Sequence, residues 1–215
     1  MYTYVEDKEF LKEAQSVCSG IVREIEVELR EKKDINSQMF LVGSGGRNMI
    51  TQNGSEGIDF DYNLNILSCP DWEDTHGIKE AVRQCFNTVM RRHRLADVED
   101  SRSSLTSKPI YFTEGNRTSF HIDLAIVTED DKGFWQRLIH NKTGIVSRDS
   151  WIWNQAPKSD RIREKADRIK KAGKWLAVRE RYLDKKNYYL RRNDYDHPSF
   201  VCYIEAVNEI YQKLR

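Results

Sequence analysis

Apolar residues fall into two spacings along this chain. Phe10, Leu11, Ala14, Val17, Cys18, Ile21, Val22, Ile25 and Leu29 recur at helical intervals. They predict a long amphipathic helix over residues 5–32, a spine for the fold. Thr3 with Glu6 three residues on has the form of a capping box at its start. Met39, Phe40, Leu41 and Val42 then make a short apolar run that ends in Gly43-Ser44-Gly45-Gly46. Farther on, Ile58, Phe60, Tyr62 and Leu64 alternate with polar residues, which predicts a strand with one buried face. A second helix is expected over residues 78–93, with Ile78, Val82, Cys85, Phe86, Val89 and Met90 as its buried stripe. Strand-like runs follow over 95–100, 108–113 and 118–127, the last two joined as a hairpin by Glu114-Gly115-Asn116-Arg117. Residues 134–141 read as a further strand, and Trp151-Ile152-Trp153 as an aromatic run that packs.

From Lys158 the chain becomes basic and helical. Ser159 can cap this helix, and Ile162, Ala166, Ile169, Gly173 and Leu176 supply its apolar face. Residues 187–197 read as a polar, aromatic linker. Pro198 and Ser199 open a last helix whose inward residues are Phe200, Tyr203, Ile204, Val207, Ile210 and Tyr211. Helix, two strands, helix, more strands and then helices predict an α+β fold with a mixed sheet. The expected division is a sheet lobe over 1–157 and a small helical lobe over 158–215.

Composition narrows the classes. At 215 residues, 39% hydrophobic and 32% charged, the chain can bury a real core and reads as soluble and globular. A net charge of +1 supplies no global field toward nucleic acid or membrane. No apolar run has the length of a membrane span, and the polar start does not read as a signal peptide. Cys18, Cys69, Cys85 and Cys202 lack metal-site spacing, so reduced, packed thiols in a cytoplasmic protein are expected.

The chemistry collects at three places. Glycine lets a backbone approach a phosphate closely, and a turn of free N–H groups at Gly43 and Ser44 can hold an anion. Asp59 and Asp61, two residues apart on a strand, point to one face. Adjacent carboxylates repel unless a cation joins them, and Mg²⁺ prefers carboxylate and phosphate oxygens. Asp123 stands on another alternating strand, where Phe120, Ile122, Leu124 and Ile126 take the opposite face. Three acids on two strands can hold two metal ions for in-line displacement at phosphorus.

Gly-Ser, then Asp-x-Asp on the next strand, then a lone Asp on a later one resembles the DNA polymerase beta-like nucleotidyltransferase superfamily. The spacer over residues 45–58 is slightly longer than usual and accommodates an extra turn around Asn53-Gly54-Ser55-Glu56-Gly57. Ile169 through Leu176, with Pro198-Ser199-Phe200 and Glu205, is similar to the helical lobe of the oligoadenylate synthase and cyclic GMP-AMP synthase-like enzymes and their bacterial relatives. The resemblance implies a nucleotidyltransferase fold and two Mg²⁺ ions, with Mn²⁺ as an alternative. It implies that Gly43 and Ser44 hold phosphate, that Asp59 and Asp61 bind both metals and Asp123 one, and that Lys174 and Ser199 hold the donor's triphosphate tail. Asp123 would also help deprotonate the acceptor hydroxyl. The expected reaction is transfer of NMP from an NTP to a hydroxyl, with a nucleotide second messenger as one product class. Transfer onto a small molecule or protein, and nucleotide binding without turnover, are the alternatives.

Overall fold

A computed structural model describes residues 1–112, 118–156, 161–194 and 197–214. Strand β1 (Tyr2–Tyr4) precedes helix α1 (Lys8–Lys33), and then come β2 (Asn36–Leu41), β3 (Thr51–Asn53), β4 (Ile58–Ser68), α2 (Thr75–Arg92), β5 (Glu99–Asp100) and β6 (Leu105–Thr106). The chain continues through β7 (Phe120–Glu129), β8 (Trp135–Asn141), β9 (Ser150–Gln155), α3 (Ile162–Lys171), α4 (Trp175–Arg191) and α5 (Ser199–Gln212). The seven-stranded sheet runs β2-β4-β7-β6-β5, with β8 and β9 extending it from β7. Among the described residues only β4 and β7 pair in parallel, so the sheet is mixed, as the element order predicts.

Alternation on β4 and β7 decides the layers. Ile58, Phe60, Leu64, Phe120, Ile122 and Leu124 are buried against α1 and α2 in one core. The odd-numbered neighbours therefore face away from those helices. A second core joins α3, α4 and α5 through Ile169, Val178, Tyr182, Tyr203, Val207 and others, and Met49 of the sheet half enters it. All the buried residues of α1 belong to the first core. The element that reaches the second core is β1: Tyr4 packs on it and donates its hydroxyl to the Arg179 carbonyl at 2.7 Å. Beside it, Asn187 brackets Tyr2, accepting from its N–H and donating to its carbonyl.

Several boundaries differ from the sequence reading. The first helix starts at Lys8, because Asp7 caps it by accepting the Phe10 N–H at 2.9 Å, while Thr3 is extended in β1 beside β3. The run over 95–100 is a strand only at its end: Arg94 is left-handed at φ 59° and the Leu95 N–H closes α2 on Met90. Of 108–112, Ile110 alone bridges the sheet, to Phe120. The expected hairpin turn and the Ser159 cap lie outside the described residues. The basic helix breaks at Gly173, left-handed at φ 68°, with Lys174 N–H bonded back to Ile169, a Schellman-type stop. Helix α4 then runs through the expected linker to Arg191. Trp151 packs as expected, stacked between His76 and His140. Among the described residues all four cysteines are free thiols, and no helix is long and apolar enough to cross a membrane.

Candidate active site

The two strands that bury the core also aim the acids. Register places Asp61 beside Asp123 and Asp59 beside His121 on the parallel pair. All four have odd positions, so they share the sheet face away from α1 and α2. Asp61 is half-buried. Burial first, then the charges of Asp123 and Asp59, push its carboxyl up to about 6. Solvent reaches Asp59, yet the cleft walls crowd it; desolvation and then Asp123 raise its carboxyl too. Asp123 is held by the Thr106 hydroxyl, which donates to Oδ1 at 2.5 Å.

The Gly-Ser turn lies against this row. Val42 N–H donates to the Asp61 carbonyl at 2.8 Å, tying the end of β2 to β4. Gly43 then turns at φ +60°, and a Cβ there would sit 1.9 Å from Asp61 Oδ2, so the close approach needs glycine. Ser44 accepts at its carbonyl from Arg47 and Met49 N–H groups. The N–H groups of Gly43, Ser44 and Gly45 have no acceptor among the described residues. A run of free amides of this kind can bind an anion, and the carboxylates beside it can bind a cation.

The helical half supplies a cation and a hydroxyl. Lys186 of α4 donates to Thr51 Oγ1 at 2.8 Å and lies 3.8 Å from the Tyr2 ring centroid. Burial pulls its ammonium down to about 8, against the favourable charges of Asp59 and Asp61 among others. Ser199, exposed at the start of α5, lies beside the buried Tyr182 phenol. Arg47 follows the Gly-Ser turn, and Arg137 of β8 reaches Asp61 with its charge.

The structure thus brings Gly43, Ser44, Asp59, Asp61 and Asp123 to one place, with Ser199 on the facing helical half. It does not bring Lys174 there. That side chain is exposed at the N-cap of α4, and at 1.5 Å per residue it is about 18 Å along the helix from Lys186. Sequence reasoning missed Lys186 because it adjoins an apparent linker. Lys185, its neighbour, is an ordinary ion-pair partner of Glu205 and Glu209. The one signal was position: Lys186 stands one turn beyond Tyr182.

The acids suit a divalent ion by chemistry: hard oxygens, one face, and a carboxyl raised by burial and by its acidic neighbours. Among the described residues no three His, Cys, Asp or Glu side chains are gathered at metal-holding distance. The strands provide the donors, and the side chains would have to turn inward to share an ion.

No family model matches the chain, and no curated protein matches it by sequence. Solved structures do. CdnC of E. coli MS115-1 with ATP matches at TM-score 0.59 and 12% identity, over 97% of this chain and 62% of that one. The complex of the same CdnC with HORMA-deltaN matches at TM-score 0.54 and 13% identity, over 94% and 60%. The CdnE cyclic dinucleotide synthase of Elizabethkingia meningoseptica, with GTP and Apcpp, matches at TM-score 0.51 and 16% identity, over 89% and 68%. These likenesses establish the fold as that of the nucleotidyltransferases, while this chain spans less than two thirds of the CdnC chains.

Proposed function

We propose that this chain is a metal-dependent nucleotidyltransferase that moves NMP from an NTP to a hydroxyl and releases pyrophosphate. The observation that carries the reading is the pairing of Asp61 with Asp123 across β4 and β7, directly against the free N–H groups at Gly43 and Ser44. Asp59, Asp61 and Asp123 would hold two Mg²⁺ ions, or Mn²⁺. Bound there, the ions would neutralise charge developing on the phosphoryl oxygens and lower the pKa of an attacking hydroxyl. The chain's own groups do the rest. Amides of Gly43 and Ser44 bind phosphate oxygens. Asp123 accepts the proton of the acceptor hydroxyl at Oδ2, with Oδ1 held by Thr106. Lys186 and Ser199 contact the leaving phosphates, Lys186 in the role that the sequence suggests for Lys174. Positioning and charge complementarity supply most of the rate.

The fold likeness to a cyclic dinucleotide synthase bound to GTP and Apcpp supports a second nucleotide as acceptor, and so a nucleotide second messenger as product. The division reads as a sheet lobe over 1–157 and a helical lobe over 158–215 with the substrate between them, a reading that the presence of two buried cores supports. The test is incubation with each labelled NTP and Mg²⁺ or Mn²⁺, followed by product separation. Pyrophosphate release that vanishes in Asp61→Asn is expected. Release from no NTP with either ion, or release indifferent to that substitution, overturns the proposal.

A further inference from the structure

Arg47 has no carboxylate partner within ion-pair distance among the described residues, although Asp61 feels its charge. Its guanidinium is instead placed by three other contacts. Nη1 donates to the Gly43 carbonyl at 2.5 Å. On the helical side, the guanidinium carbon lies 4.2 Å from the ring centroid of Tyr203 and 5.5 Å from that of Phe200, both on α5. A half-buried arginine held by a carbonyl and two aromatic faces is a bracket between two halves of the cleft.

The bracket has a defined effect on the turn. The Gly43 carbonyl and the Ser44 N–H belong to one planar trans peptide and point in opposite directions. Drawing the carbonyl toward Arg47 therefore aims the Ser44 amide the other way, and that amide has no acceptor among the described residues. Gly43 in its left-handed conformation has few steric restraints of its own, so the orientation depends on an outside partner. At the other end, Tyr203 lies one helical turn beyond Ser199, so the stack also sets the start of α5.

We infer that Arg47 is a positioning residue that couples the Gly43–Ser44 turn to the Ser199 end of α5, so that the two halves of an NTP's phosphate chain meet amides and hydroxyl already in register. The inference rests on the nucleotide-site reading above. It assigns Arg47 no contact with the phosphates. The requirement is for a planar fork that can stack and donate at once, which a lysine cannot satisfy.

The test measures binding of Apcpp and of AMP, and of the corresponding guanine nucleotides, in the presence of Mg²⁺. The proteins are wild type, Arg47→Lys, Tyr203→Leu and the double variant. Arg47→Lys is expected to weaken the triphosphate analogue by about tenfold and the monophosphate by about twofold or less, despite its retained charge. Tyr203→Leu should give a similar loss, and the double variant little more than either alone, because both break one bracket. Arg47→Lys that binds like wild type, or losses that multiply in the double variant, overturns the inference. If Arg47→Lys fails to melt cooperatively, Phe200→Leu, at a position 39% exposed, decides: a selective triphosphate loss supports the bracket, and unchanged affinity overturns it. Wild type that binds neither nucleotide removes the nucleotide-site reading itself, a result distinct from failure of the bracket alone.

Discussion

Asp61 and Asp123 are register partners on adjacent parallel strands, and Gly43 packs against the first of them with no room for a Cβ. The Gly-Ser turn and the carboxylate row are thus packed together at the end of β2 and on β4 and β7. Asp61→Asn should therefore leave the fold intact and lower NMP transfer by at least about a hundredfold, since an amide cannot supply the metal site's charge. Asp123→Asn should do the same. Steady-state pyrophosphate release checks both, and near-normal rates in either variant remove that acid from the site.

Burial of Asp61, together with the charges of Asp123 and Asp59, has a pH signature. The Asp61 carboxyl is raised from its ordinary 3.8 to about 6 in the folded chain. Between those values the folded state binds more protons than the unfolded state, so this group's contribution to stability falls as pH rises from about 4 through 6. Without metal at pH 7, Asp61→Asn should be more stable than wild type by about 1–3 kcal/mol, and the difference should shrink to near zero below pH 4. Denaturant melts at pH 3.8, 5 and 7 measure it. An Asn variant less stable at pH 7 would contradict the assignment of the shift.

Metal should reverse that preference. Mg²⁺ is expected to raise the Tm of wild type at pH 7.5 and to do so much less at pH 5, where protons compete for Asp61. Removal by EDTA should restore the lower Tm. An equal shift at both pH values would place the ion elsewhere.

Lys186 and Lys174 make opposite predictions from one helix. Lys186→Ala should weaken NTP binding by about 1.5–3 kcal/mol, the range for a hydrogen bond to a charged group, and NMP binding far less. Lys174→Ala, at an exposed N-cap position, should change neither by more than about 0.5 kcal/mol. Titration with a non-hydrolysable NTP and with NMP separates them, and the reverse ranking would restore Lys174 to the triphosphate.

Away from the cleft, His140 is buried between Asp100 at 2.7 Å and Asp149 at 3.1 Å, with Trp151 stacked on its ring. Lys79, also buried, closes the network on Asp100 at 2.6 Å. His140→Ala should cost about 2–4 kcal/mol by leaving buried polar groups without partners. Chemical denaturation should show the loss, and a change below about 0.5 kcal/mol would mean the network is decorative.

Alternation alone determined the chemistry-bearing face. Period-two spacing put Asp59, Asp61 and Asp123 opposite Phe60, Leu64 and Ile122, so a sheet that buries those apolar side chains turns the acids to its other face; the β4–β7 register then makes Asp61 and Asp123 neighbours. The long helix, the mixed sheet and the Gly-Ser turn followed from equally local patterns. What the tertiary structure decided is which distant groups face that row. Lys174 closes the basic stretch and Lys186 adjoins an apparent linker, and the one local signal for Lys186, its place one turn beyond Tyr182, does not say what it faces. Only the stop at Gly173, the docking of α4 on β1 through Asn187 and the burial of Tyr182 rotate and slide that helix until Lys186 reaches Thr51. Arg47 and Arg137 were invisible for the same reason: a charge becomes part of a site through long-range packing, which local spacing does not encode.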